Sequence, residues 1–438
     1  MPISQKEFQQ RRQDLMNHME PNSIAILASA NGILRNGDSE FRFRQSSDLY
    51  YLTGFNEPQS VLVLVPGRAQ GQCLLFCQEK DPLKELWNGK LLGPEAAIKE
   101  LGLDDAFPIG DIDDILPGLI EGRERVYYAM GKDESFDHKV MEWVKVIRKK
   151  VRSGAHPPGE FLVLDHLLHE MRLIKSKAEI DLMRESGQIA VRAHKRAMQV
   201  CQPGMYEYQI EAEFMHEFFR SGCRAPAYTS IVAGGANACI LHYNENNQKL
   251  QSGDLLLIDA GCEYEYYASD ITRTFPVNGK FTPEQKAIYE LVLKAQLEAI
   301  ETVKPGNHWD DPHNMTVKVL TEGLVELGLL KGEVPALIES GAYRDFYMHR
   351  AGHWLGMDVH DVGDYKIDGK WRQLEPGMVL TVEPGLYIAP NNMNVDARWR
   401  GIGVRIEDDV AVTRTGYEVL TAGLPKTVQD IESFMAAA

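Results

Sequence analysis

Residues 255–275 read LLLIDAGCEYEYYASDITRTF, and they decide the fold. The apolar run Leu255-Leu256-Leu257-Ile258 predicts a buried strand, yet it ends on Asp259, and a second acid, Asp270, sits inside another strand-like segment. A lone acid after a strand is an ordinary turn residue, so the pair needs a wider pattern. That pattern is a coarse duplication. Helical stretches followed by DLLLIDAG and ASDITRTFPV are matched by helices from Pro283 to about Gly328 followed by GMVLTVEPGLYI and GVRIEDDVAVT. Each half ends in two strands that carry acids at apolar positions, which predicts a pseudo-symmetric α+β domain that brings four strands together.

Upstream, SIAILASA from Ser23, SVLVLVPG from Ser60, QCLLFCQ from Gln72 and RVYYAMG from Arg125 read as strands. PEAAIKELG and IDDILPGLIEG between them read as helices. Glu134 to Lys150 is amphipathic, with Phe136, Val140, Trp143 and Val144 or Ile147 on one stripe. The alternation predicts an α/β domain with a mixed sheet. After the Gly- and Pro-rich SGAHPPGEF, Ser176 and Glu179 resemble a capping box opening a long helix. The boundary falls near Arg172, giving an N-terminal domain over 1–172 and a second over 173–438.

A chain of 438 residues has material for two or three domains. Its 47 basic and 63 acidic residues leave a net charge of −16, which argues against nucleic acid or an anionic membrane as partner and leaves room for bound cations. The six cysteines form no CxxC pair and read as buried free thiols. The N-terminal MPISQKEFQQRRQDLM leads into no apolar segment, and no run reaches the roughly 18 apolar residues of a membrane span. A cytoplasmic protein is the expectation.

Four carboxylates, Asp259, Asp270, Glu383 and Glu407, occupy positions where a strand pattern favours apolar residues. Burying one unpaired carboxylate costs several kcal/mol, and clustering four adds repulsion. Arginine pairing is the simpler explanation, since Arg273 and Arg405 lie close in sequence to Asp270 and Glu407. For four acids together with the histidines of HRAGHWLGMDVHD, bound cations explain more. A separate zinc site of His349, His353 and His360 is the alternative, but Gly352 and Gly356 argue against a regular helix there. Four carboxylates and one histidine serve two ions only if carboxylates bridge, and they suit Mn²⁺ or Co²⁺. Two such ions lower the pKa of bound water towards about 7 and supply a hydroxide for hydrolysis. No GxSxG elbow or P-loop competes with this reading.

At this point the chain resembles the metallopeptidases of the pita-bread fold. Their ligand order Asp, Asp, His, Glu, Glu is matched by Asp259, Asp270, His353, Glu383 and Glu407 within IDAG, SDITRTF, HWLGMDVHDVG, TVEPGLY and VRIEDD. FRFRQSSDLYYLTGFNEPQSVLVLVPG and ELWNGKLLGPEAA resemble the N-terminal domain of the bacterial aminopeptidase P family, so the resemblance covers nearly the whole chain. It implies an α/β N-terminal domain that serves oligomerisation and rims the active site, then a pita-bread catalytic domain.

The resemblance further implies two divalent ions, Mn²⁺ foremost, and release of the first residue from peptides with proline second. Asp259 would chelate one ion, Asp270 and Glu407 bridge both, and His353 and Glu383 complete the second site. Glu383 would also shuttle the proton. His242, His349 and His360 would be substrate-side groups, and Arg405 and Tyr387 would orient the ligands. Trp87 and Asp38 resemble positions that reach a neighbouring subunit's site, implying a homo-oligomer, dimer or tetramer. Arg350 stands where the family often has Gly, beside His349. Prolidase, cutting only dipeptides, is the nearest alternative, and a non-catalytic peptide-binding module is a more distant one.

Overall fold

The computed structural model describes residues 3–437. They divide into two compact units, 3–172 and 173 onward.

The N-terminal unit is built on six strands: β1 (Ser23–Ala28), β2 (Val61–Leu64), β3 (Cys73–Cys77), β4 (Asp105–Pro108), β5 (Arg125–Tyr128) and β6 (Glu160–Val163). They lie in the order β4-β3-β2-β1-β5-β6. β2 pairs antiparallel with both β1 and β3, whereas β1–β5, β5–β6 and β3–β4 are parallel, so the sheet is mixed. The inner strands β1, β2, β3 and β5 are mostly apolar and buried, because helices cover them. Ile24, Ile26, Val63 and Phe76 pack with Leu116 and Ile120 of α1 (Ile112–Ile120) and with Val140, Trp143 and Ile147 of α2 (Glu134–Lys149). Asp133 starts α2 by accepting from the Ser135 and Phe136 N–H groups.

The second unit opens on α3 (Lys177–Val200), where Ser176 and Glu179 form the expected capping box. α3, α4 (Glu207–Arg220), α5 (Pro283–Ile300) and α6 (Asp311–Glu326) contribute to the main core, including Ile189, Phe214, Phe218, Tyr289, Val292 and Leu320. Against them lie β7 (Ile231–Gly234), β8 (Leu255–Asp259), β9 (Cys262–Tyr264), β10 (Tyr267–Ala268) and β11 (Thr272–Pro276) from the first half. The second half supplies β12 (Val379–Val382), β13 (Gly385–Ile388), β14 (Ile402–Arg405), β15 (Asp408–Val412) and β16 (Tyr417–Val419).

These strands form small antiparallel sheets, β7-β8-β11, β12-β15-β16 and the pair β13-β14. The halves join where β11 meets the chain around β14: Thr274 Oγ1 donates to Arg405 O at 3.0 Å and Glu407 N donates to Thr272 O at 3.1 Å. The four long strands expected from the sequence are thus interrupted. Asp259 is the last residue of β8, while Asp270 precedes β11, Glu383 separates β12 from β13 and Glu407 separates β14 from β15. Asp270 is therefore not inside a strand. The breaks have a physical reason, because a regular ladder sends alternate side chains to opposite faces, and only an interruption lets neighbouring segments turn their acids to one centre.

Candidate metal centre

The β8–β11 register sets Asp259 opposite Thr272. The turn after Asp259 is pressed against the segment carrying Asp270: Ala260 N donates to Ile271 O, and Cys262 N donates to Ser269 Oγ. Gly261 makes this possible, since a Cβ there would overlap the Ser269 carbonyl. Gly261→Ala is expected to cost roughly 1–3 kcal/mol by overpacking. It should lower the melting temperature by about 5 °C, read by differential scanning calorimetry.

Tyr228 OH lies 2.6 Å from Asp259 Oδ1 and 2.5 Å from Asp270 Oδ1. A hydroxyl carries one hydrogen, so it satisfies one of these carboxylate oxygens and leaves the other wanting a proton or a cation. His353 Nδ1 sits 2.9 Å from Trp354 O, an acceptor only, so Nδ1 carries the hydrogen. His353 Nε2 is then turned to Asp270 Oδ2 at 3.4 Å and Glu383 Oε1 at 3.7 Å. Glu407 Oε2 accepts from Thr272 Oγ1 at 2.6 Å. Ligand atoms of Asp270, His353 and Glu407 all lie within 4.8 Å of one another. Asp259 joins this group through the shared Tyr228 hydroxyl and Glu383 through His353.

The electrostatics describe a set of donors short of positive charge. Burial, then the charge of Asp259, raises the Asp270 carboxyl. Burial pushes Glu383 up to about 7, and burial with the charges of Asp270 and Glu383 raises Glu407 well above the ordinary range. Burial works against a charged His353, but Asp270 and Glu383 push it up to about 9. Each of these groups binds a proton more readily than it would in water, as donors in want of a cation do. Four carboxylates and one imidazole are a donor set suited to Mn²⁺, Co²⁺ or Zn²⁺, so the residues fit a metal centre.

Arginine pairing does not relieve the crowding in the way the sequence suggests. Arg405 pairs with Asp259 through Nη2–Oδ2 at 2.7 Å, not with Glu407. Arg273 pairs with Asp408, also at 2.7 Å, and gives its other bonds to the Glu407 and Thr272 carbonyls rather than to Asp270. The i, i+2 rule fails for Arg405 and Glu407 because the strand is broken between them.

Arg405 also donates to Tyr387 OH at 3.0 Å, which lies 2.8 Å from His349 Nε2. Burial, with the nearby Arg405 charge, lowers His349 to about 4, so it is neutral, with Nδ1 donating to Arg350 O at 2.7 Å. His360 packs edge-to-face on His353 at 4.3 Å, and both His360 and His242 are exposed. The segment holding the three motif histidines is irregular; His353 is turned to Asp270 and Glu383, while His349 Nδ1 lies 3.9 Å from Glu383 Oε2. Arg350 pairs with Asp310 and stacks on Trp371 at 4.7 Å. In the N-terminal unit, Trp87 is 79% exposed on the helix Pro82–Asn88, and Asp38 is exposed in the turn between Leu34–Asn36 and Ser39–Glu40.

Three contributors were not singled out from sequence. Tyr228 and Thr272 are described above, and Asp409 accepts from Asp270 N at 3.2 Å. The last two flank recognised acids and were findable by that nearness, whereas Tyr228 in AYTS carries no local signal. A second acidic group, Asp48, Asp165 and His169, lies in the N-terminal unit. There Lys132 Nζ stands 3.2 Å from both carboxylates and Arg172 2.7 Å from Asp48, so side-chain cations already neutralise it.

Residues 181–414 match the model of metallopeptidase family M24, and residues 8–127 match that of the aminopeptidase P N-terminal domain. The chain is 48% identical over 437 residues to the Xaa-Pro aminopeptidase of Escherichia coli K12, covering 100% of this chain and 99% of the relative. The solved structure of Pseudomonas aeruginosa aminopeptidase PepP aligns with a TM-score of 0.99 at 61% identity, covering 100% and 99% of the two chains. A substrate complex of an Escherichia coli aminopeptidase P variant aligns with a TM-score of 0.97 at 47% identity and the same coverage.

Proposed function

The chain belongs to metallopeptidase family M24, and we propose that it hydrolyses the bond between the first residue of a peptide and a proline in second place, at a centre formed by Asp259, Asp270, His353, Glu383 and Glu407. It is a metal-dependent Xaa-Pro aminopeptidase with a pita-bread catalytic domain, and not a prolidase. The observation that carries the residue assignment is the single Tyr228 hydroxyl between Asp259 and Asp270, beside an imidazole nitrogen aimed at Asp270 and at a third acid, Glu383.

Two divalent ions held there, Mn²⁺ foremost, would supply an acidified water and an electrophile for the scissile carbonyl. The protein's own groups do the rest. Asp270 and Glu407 would be shared between the ions, Asp259 would hold one, and His353 and Glu383 would hold the other. Arg405 holds the Asp259 carboxylate and the Tyr387 hydroxyl at once, fixing the ligand and the neutral His349 behind it. An X–Pro amide nitrogen has no hydrogen and leaves well only once protonated, so Glu383 takes a proton from the attacking water and delivers it to that nitrogen. His242, His349 and His360 form the substrate side.

The test is mass spectrometry of an X-Pro-Y tripeptide with chelator-stripped protein, before and after Mn²⁺. Release of free X only with metal is expected. Cleavage of X-Pro dipeptides alone would overturn the assignment. Tyr228→Phe should weaken Mn²⁺ affinity by roughly 10-fold, the lower end of the range for groups that orient ligands, as measured by electron paramagnetic resonance of free Mn²⁺.

The assembly is a homo-oligomer, a tetramer or a dimer. The helix Pro82–Asn88 buries none of its residues and exposes Leu83, Leu86 and Trp87, and Ile33, Leu34 and Phe41 are exposed too. A second copy would cover these apolar groups and bring Trp87 and Asp38 to a neighbouring site. Sedimentation equilibrium should give a mass two or four times 49.4 kDa, and Trp87→Glu should lower it. The location is cytoplasmic, in keeping with six free cysteines. Among the described residues no helix is long and apolar enough to cross a membrane.

A further inference from the structure

We infer that Lys175, Glu179 and Tyr267 are positioning residues that set the spacing of Asp270 and His353, through one clamp at the start of α3. The inference rests on the metal-centre reading above and deepens it.

The two ligands come from segments more than 80 residues apart in the chain. No strand ladder joins those segments, since Asp270 and His353 both lie outside strands. What joins them is α3. On one side, Lys175 Nζ bonds Asp361 Oδ2 at 2.8 Å, with both side chains 1% exposed. Asp361 N in turn donates to Trp354 O, closing the loop that starts at His353 and carries His360. Gly356 lets the ion pair pass, because a Cβ there would overlap the Asp361 carboxylate and crowd Lys175 Cε at 2.8 Å.

On the other side, Glu179 accepts from Tyr267 OH through Oε1 and from Ser176 N through Oε2, each at 2.8 Å. Tyr267 stands three residues before Asp270, and the next residue, Ala268, donates its N–H to Gly356 O at 2.8 Å. The clamp is therefore closed: helix start to His353 loop, helix start to Asp270 segment, and the two segments to each other. A buried lysine–carboxylate pair with a second carboxylate one helical turn away fixes both loops to one rigid element, which is how ligands on separate loops are held within the small tolerances a metal requires.

A role confined to holding the fold would alter melting temperature alone. The clamp predicts more. Tyr267→Phe removes one hydroxyl and keeps the ring packing, and Lys175→Met removes the buried cation, so the milder variant stands if the other does not fold. In the full-length chain, Tyr267→Phe should keep its circular dichroism spectrum and bind Mn²⁺ at least 10-fold more weakly by electron paramagnetic resonance of free Mn²⁺. Its kcat at saturating Mn²⁺ should fall while KM stays within twofold, and Glu179→Gln, which keeps an acceptor for the tyrosine, should retain more affinity than Glu179→Ala. A parent chain that binds Mn²⁺ alongside a folded Tyr267→Phe variant that binds it equally well overturns the clamp and spares the metal centre. A parent chain that binds no Mn²⁺ overturns both.

Discussion

Glu383→Gln should lower kcat by about 10²–10⁴ while leaving KM for an X-Pro-Y peptide nearly unchanged. The two side chains are nearly the same size, so the main-chain bond from Glu383 N to Ala351 O and the segment between β12 and β13 should stay in place. What changes is proton affinity. Glu383 is buried beside His353 Nε2, and a carboxylate there can accept a proton and pass it on. An amide does neither. Because the proline nitrogen must be protonated to leave, the loss belongs to the chemical step and not to substrate binding. Stopped-flow and steady-state rates on the same peptide check this, together with metal content to show that the ions remain. Near-normal turnover with full metal content would show that another group moves the proton.

The same centre shows what a linear reading can and cannot reach. Asp259, Asp270, Glu383 and Glu407 stand out because acids in apolar runs are expensive, a cost visible in the sequence itself. Four of the six sheet strands of the N-terminal unit were equally legible, as apolar runs between helical patterns, whereas Asp105–Pro108 and Glu160–Val163 are too short and polar to stand out. The partners of the acids were not. Tyr228 lies 31 residues before Asp259, and a tyrosine ahead of a strand is unremarkable until the fold brings its hydroxyl to two carboxylates. The arginines mislead for a related reason. Alternation along an unbroken strand would turn Arg405 and Glu407 to one face, but the strand stops after Arg405 and resumes at Asp408. That interruption reassigns Arg405 to Asp259, and Arg273 to Asp408.

Arg273 accordingly governs stability, and Arg273→Met should destabilise the second unit by about 3–5 kcal/mol. Its guanidinium and the Asp408 carboxylate are each 1% exposed and 2.7 Å apart. Burial would raise Asp408, but Arg273 and Lys426 together hold its carboxyl well below the usual range. Arg273 also donates to the Glu407 and Thr272 carbonyls, so it ties β11 to the break that carries Glu407. Removing it leaves Asp408 with Lys426 at 2.8 Å, and with Gln296 and Thr421 as donors. For a unit of this size the loss is on the order of 10 °C in melting temperature. Calorimetry on chelator-stripped protein isolates it from any stabilisation by bound ions. The double variant Arg273→Met, Asp408→Leu should recover part of the loss, because no buried charge is then left without its partner and Lys426 can turn to solvent. If the single variant melts within about 2 °C of the parent, the pair is not what holds the two halves together, and the main-chain bond from Glu407 N to Thr272 O must carry that role.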